Sequence, residues 1–548
     1  MPSIRHLISQ CLSHLRMRSS GAARVATKFH RMTLYGFDLV LWSRLFGRKR
    51  GPVPIELTRH LLAEKSVKHK PPSLHLDASS DLADRWEEGF AAVYATLFLN
   101  LQKPDVLSDT RYAHPAPAFK GVYLWDSAFI AQVWKWWDNP TAMEVLDSVI
   151  RLRDGARLQH VVTDLTASSY TQPPLIAWSL HHLLRSPLSE PLEPARMQQL
   201  FGALSVYNKW LYEHRYHESG LFYWEHAYES GVENAPRFGN RTESDLIDTR
   251  RYAAPDLSGF MVVQNETLAE LARKLDRKEE EQHYTEKADK LRQLINEKLW
   301  SEELGLYTDW EFDTGEQLKF RTIAGLIPLM AGVPDKGRAE HILKQVVAPK
   351  SFATPIPFPS VAADDPSFEL DMWRGPVWLN TAYCAILGLQ RYGFHREASE
   401  LVWKLCDGVY ATHAETRRLY EFYDPNQPGI DDLNRKRGNQ WKKWTLGNKP
   451  RPEFVGWTGL VNSLVIECLF GLERDENGCC LLRPRFPAAA ADIGFSIRLP
   501  ALGLAIHIDV TDDTGSVRGT ARRSGRRHTF EGEFGQAIPL DSLFPSPS

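Results

Sequence analysis

Between about residues 82 and 470 the apolar side chains recur at helical spacing segment after segment, and this constrains the fold more than any other feature. Trp86, Phe90, Val93, Leu97 and Leu101 follow at intervals of four, three, four and four, and Tyr284, Ala288, Leu291, Ile295 and Leu299 do the same. Each set lays one apolar stripe along a helix. Segments near 125–137, 141–152, 173–186, 194–214, 258–275, 322–332, 337–346, 377–391, 395–409 and 454–470 complete an expectation of about twelve helices. Two of them are followed by similar strings, Tyr216 to Trp224 and Trp300 to Trp310, each reading as a helix end, a Gly turn and a short aromatic strand. A repeat that spans two helical pairs suits a closed ring of hairpins around one pocket, although two short matches also arise by chance.

The flanks differ. The first fifty residues carry ten Lys and Arg, from Arg5 to Arg50, against the single acid Asp38. No apolar run there is long enough to span a bilayer, and charges interrupt every candidate signal-peptide core. Leu34 to Phe46, next to Arg48-Lys49-Arg50, could make a weak peripheral membrane contact through residues 34–50; the simpler reading is an extension packed on the main domain or a disordered arm. Residues 66–80 read as a linker. After about 475, Ile493 to Leu499, Leu504 to Val510 and His528 to Phe534 alternate as strands do, and the basic run Arg522 to Arg527 reads as a solvated hairpin turn. The expected organisation is a basic extension and linker (1–81), a helical domain (82–474) and a small β appendage (475–548).

The net charge of -2 offers no global field for nucleic acid, and six scattered cysteines without metal-ligand spacing read as reduced thiols in a cytoplasmic setting. The chain is rich in aromatics, with 17 Trp, many beside charged residues in loop-like segments where indole faces could stack on sugar rings.

Two segments have the chemistry of glycosidic cleavage, which needs an acid for the leaving oxygen and a second carboxylate. Trp224 to Phe238 holds Glu225, Glu229 and Glu233 at intervals of four, with Gly231 and Pro236 arguing for a loop and Arg237 placed to orient a carboxylate or bind a hydroxyl. On charge alone a solvated acidic stretch is the favoured reading. Tyr420 to Gly429 sets Glu421 among aromatics, where it is either a desolvated functional group or the partner of Arg417 or Arg418. Three more segments look pocket-like. Trp125-Asp126-Ser127 opens a helix, which Asp126 could simply cap; Gln172 precedes a Pro-Pro helix start; Trp373-Arg374-Gly-Pro-Val-Trp378 crowds aromatic and polar groups around a turn.

In this order, Leu124 to Ser127, Thr171 to Pro174, Glu229 to Arg237, Trp373 to Trp378, Glu421 to Pro425 and Phe454 to Thr458 resemble the glycoside hydrolase family 63 and trehalase-like six-hairpin glycosidases, nearest the mannosylglycerate and glucosylglycerate hydrolase branch. The resemblance implies a mainly α (α/α)6 toroid and inverting hydrolysis of an α-glucoside or α-mannoside, with a small glycoside such as glucosylglycerate as one candidate. It implies no metal or other cofactor. Glu421 matches the family's general base. Glu233 stands at the general acid, where the family usually has Asp. Trp125, Asp126, Gln172, Glu229, Arg237, Trp373, Arg374, Trp378 and Trp457 are expected around the sugar. Two other readings stay open: a carbohydrate-binding or phosphorolytic relative on the same fold, for which no basic pocket near Glu421 is evident, and a helical-repeat scaffold.

Overall fold

The computed structural model describes residues 59–239, 249–437 and 446–544. The basic stretch 34–50 lies outside these residues. Among the described residues twelve helical segments alternate between two rings. The inner ring is α2 (Leu124–Trp134), α4 (Ile176–Leu184), α6 (Pro255–Lys274), α8 (Ile327–Met330, entered through a 3-10 turn Ile323–Leu326), α10 (Leu379–Arg391) and α12 (Leu460–Leu464). Each packs on the next, and α12 returns to α2, so the ring closes. Between them in the chain run α1 (Ser80–Asn100), α3 (Asn139–Arg151), α5 (Pro194–His214), α7 (Lys278–Lys298), α9 (Lys336–Val346) and α11 (His395–Thr416). This is the expected (α/α)6 toroid.

Burial explains which helix goes where. Every residue of α2 is buried, as a helix that is apolar on all sides must be. By contrast α7 buries only Tyr284, Ala288, Leu291 and Ile295, the stripe read from the sequence, and turns its charged faces to water. Helix starts follow ordinary capping: Asp138 accepts from the Thr141 N–H at 3.1 Å, and Asp335 from the Arg338 N–H at 2.9 Å. The closing inner helix widens after α12 into a π turn, Val465–Leu469. There Glu467 accepts from Lys135 (2.9 Å), Trp136 Nε1 (2.7 Å) and Tyr383 (2.6 Å), joining α12, the end of α2 and α10.

The topology sorts the connections. Links from inner to outer helices are short, whereas outer-to-inner links are long and all emerge at one end of the ring. The two longest, 215–254 and 417–459, contain Glu233 and Glu421.

The C-terminal region forms an antiparallel five-stranded sheet in the order β1 (Ser73–Asp77), β2 (Gly494–Leu499), β3 (Leu504–Val510), β4 (Val517–Arg523) and β5 (Arg526–Gly532). Two expectations are corrected here. Residues 66–80 are not simply a linker: Leu74 and Leu76 alternate with exposed Ser73, His75 and Asp77, and the segment pairs from Ser73↔Arg498 to Asp77↔Gly494. The basic run is not only a turn either, because Arg522 and Arg523 end β4, Arg526 and Arg527 begin β5, and only Ser524 and Gly525 connect them. The apolar face of the sheet covers the toroid, with Phe495 against Trp86 and Trp403 at ring separations of 6.5 and 6.0 Å.

Candidate active site

A wall of tryptophans lies where the long links meet. Trp373 stacks on Trp378 at 3.8 Å, Trp125 lies 6.3 Å from Trp373 and 5.7 Å from Trp457, and Trp378 lies 5.5 Å from Trp457. They come from the first turn of α2 and from two links, so only closure of the ring assembles them. Trp457 Nε1 donates to the Glu421 carbonyl at 2.7 Å and Trp378 Nε1 to the Met372 carbonyl at 2.9 Å; Trp373 Nε1 is buried with no partner among the described residues.

Asp126 opens α2 beside Trp125, but it does not cap the helix. The cap position is Tyr123, and no side chain bonds there. Burial pushes the Asp126 carboxyl well above its usual range, and the charges of Glu421 and Glu233 push it the same way. Such fields fade with distance, so the three carboxyl groups share one neighbourhood. Two close approaches support this: a Cβ on Gly456 would stand 2.7 Å from Asp126 Oδ1, and one on Gly231 would stand 2.3 Å from the Trp125 ring. Gly231 also turns with φ 73°, so the Glu233 link can double back only with glycine there.

Glu421 is buried in an ion pair, though not with Arg417 or Arg418. Arg417 pairs with Glu88 and Arg418 with Glu453, 3.4 Å away. Its partner is Arg435, whose Nη1 donates to Oε2, and the Arg451 N–H donates to the same oxygen at 3.1 Å. Among the described residues every side-chain bond of Glu421 goes to Oε2. The site therefore holds two arginines beside Glu421 that the sequence did not announce. Asn234 is another such residue: it donates to the Asp371 carbonyl (3.2 Å) and accepts from the Trp373 N–H (2.9 Å), tying the Glu233 link to the tryptophans. It stands inside the Glu229 to Arg237 string and could have been singled out with it.

Two residues expected at the sugar are engaged within the protein. Glu229 is fully buried, its oxygens taken by Arg215 at 2.6 and 2.8 Å and by the N–H groups of Thr171 and Glu225. Arg215 also pairs with Glu225 at 2.6 Å, so two of the three acids of this string share one cation. Arg237 is held between Asp256 (2.5 Å) and Asp309 (3.2 Å). Burial pushes Asp309 up to about 6 against the pull of Arg237. Glu229 and most of Arg237 thus act within the protein to shape the link, while Arg237 Nε is buried with no partner among the described residues. Gln172 Oε1 faces the Trp125 N–H at 3.4 Å, and Arg374 reaches the Asn234 carbonyl at 3.3 Å and Glu369 at 3.2 Å.

With this geometry in view, residues 120–431 match the family described as the mannosylglycerate hydrolase MGH1-like glycoside hydrolase domain. The chain belongs to this family. Among its relatives, the mannosylglycerate hydrolase of Thermus thermophilus is 28% identical over 393 residues, 58% of this chain and 92% of that one. The mannosylglycerate hydrolase MGH1 of Selaginella moellendorffii is 25% identical over 389 residues, 57% of this chain and 78% of its own length. The solved GH63 mannosylglycerate hydrolase of Thermus thermophilus in complex with glucose superimposes with a TM-score of 0.56 at 22% identity, covering 68% of this chain and 98% of that one. That likeness concerns the fold: the six-hairpin glycosidase architecture is shared. Among the described residues no helix is long and apolar enough to cross a membrane.

Proposed function

We propose that this family member is an inverting glycosidase of α-linked sugars, with Glu233 as general acid and Glu421 as general base. The glyceryl glycosides that give its relatives their names, α-mannosylglycerate foremost and glucosylglycerate beside it, are the first substrates to try. Glu233 gives its proton to the leaving oxygen while the anomeric C–O bond breaks and its electron pair passes to that oxygen. Glu421 takes a proton from the water that attacks the opposite face. Because Arg435 and the Arg451 N–H occupy Oε2, Oε1 is the atom we assign to that water. Asp126, held neutral, donates a hydrogen bond to a sugar hydroxyl, and Trp125, Trp373, Trp378 and Trp457 form the apolar wall. Glu233 in place of Asp extends the acid by one methylene.

The observation that carries this reading is the convergence on Asp126 of the fields of Glu233 and Glu421, which come from separate links. A panel of α-mannosylglycerate, α-glucosylglycerate and simple aryl α-glycosides tests it. Glu233→Gln and Glu421→Gln should each lower kcat by roughly 10²–10⁴-fold without loss of folding. Either variant turning over like the parent removes that residue from its role, and a parent that binds but cleaves nothing favours a binding protein. The Arg435 and Arg451 pair gives a phosphorolytic reading one supporting observation, and formation of a sugar phosphate in inorganic phosphate would select it. The charge of Glu421 between those arginines favours water.

A further inference from the structure

The solvent face of the five-stranded sheet carries a charge pattern that glycosidic cleavage does not use. Paired residues of an antiparallel sheet project to the same side, so the register reads out rows across it. One row runs Ser73↔Arg498↔Ala505↔Arg522↔Arg527. Arg498, Arg522 and Arg527 are exposed, and none has an ion pair or hydrogen bond among the described residues. Strand spacing of about 4.8 Å spreads them over about 14 Å. Arg526 adds a charge at the adjoining turn, and exposed Lys68 and Lys70 lead into β1 at this same end, where Ser73 starts the row. The sheet's own acids on this face lie two rows away, about 13 Å along the strands, in the row Asp77↔Gly494↔Asp509↔Arg518↔Glu531, while Glu87 of α1 reaches His75 of the intervening row at the β1 edge, 2.7 Å away. Arg522 directly opposes Arg527 across β4 and β5, a like-charge pairing that works against the sheet.

We propose that this cationic end of the sheet is a docking face for an anionic lipid bilayer. Its arginines stand in one row across neighbouring strands, so several can meet the phosphates of one lipid surface together. The face presents no Phe, Tyr or Trp on which a nucleic-acid base could stack, since its remaining positions are Ser73, His75, Ser496, Ala505, His507, Thr520 and Thr529 besides the charged rows. The charge of the chain preceding β1 agrees with it, with ten basic residues against one acid in the first fifty. The proposal is independent of the glycosidase reading, and the face lies outside residues 120–431.

Sedimentation of the full chain with vesicles tests it, using phosphatidylcholine alone and phosphatidylcholine mixed equally with phosphatidylglycerol. The chain should partition onto the mixed vesicles only and be released by added salt. At about fivefold per cation, the triple variant Arg498→Gln, Arg522→Gln, Arg527→Gln should partition on the order of a hundredfold more weakly, with turnover unchanged and melting no lower than the parent's, since the Arg522–Arg527 repulsion is relieved. Arg518→Gln, at the acidic end, should partition like the parent. The proposal is overturned if the triple variant binds as the parent does, if Arg518→Gln loses as much per charge removed, if the parent ignores phosphatidylglycerol, or if it prefers a single-stranded RNA to the mixed vesicles.

Discussion

Asp126 stands in the first turn of α2 with its carboxyl buried and two further carboxylates nearby. Its folded pKa lies above its unfolded one, so the native state holds a proton the unfolded chain gives up. The associated stability is full below the ordinary carboxylate range, about 4, and declines as pH rises through the folded pKa. Asp126→Asn, which imitates the neutral form, should therefore melt less differently from the parent at about pH 4 than at about pH 8, where it gains on it. Melting curves in that series check this, and a constant offset at every pH would mean the carboxyl is not held neutral. The motif around Asp126 was legible as pocket-like in the sequence. Its charge state was not, because that is set by Glu233 and Glu421 arriving from other links. The same holds for Arg435, which no local pattern connects to Glu421.

At the scale of elements, the long helices were legible because their period is written into the apolar positions, and α5 matches its expected span of 194–214. The last inner helix was expected as one run over 454–470; it starts at Leu460 and widens into a π turn at Val465. The cause is tertiary: Glu467 must reach Lys135, Trp136 and Tyr383, partners that no window of sequence around it contains. Removing one partner of a buried pair strands the other charge, so Glu467→Met should lower stability by about 3–5 kcal/mol, and Lys135→Met with Glu467→Met should recover only the part due to the stranded charge, because Trp136 and Tyr383 still lose their acceptor. Denaturant unfolding of the two single variants and the double closes the cycle, and strict additivity would contradict the coupling. Strand β1 was missed for a related reason. Five alternating residues after Pro71-Pro72 look like a linker until β2, far along the chain, supplies the edge they complete.

The whole molecule joins these pieces through one topological rule: every long link leaves from the same end of a closed ring, so residues far apart in sequence meet over its mouth. The sheet belongs to the same unit, since its Phe495 packs on Trp86 of α1 and Trp403 of α11. A chain begun at Ala78 loses β1 and bares the β2 edge, and it should self-associate more than the parent does. Size-exclusion chromatography of the two chains decides, and a monomeric truncated chain would show that β1 is dispensable. For the site itself, proton NMR of the first sugar released from an α-glycoside that the protein cleaves tests the paired carboxylates most directly. The β-anomer should appear first and only then mutarotate; initial release of the α-anomer would contradict Glu421 as the base that activates water.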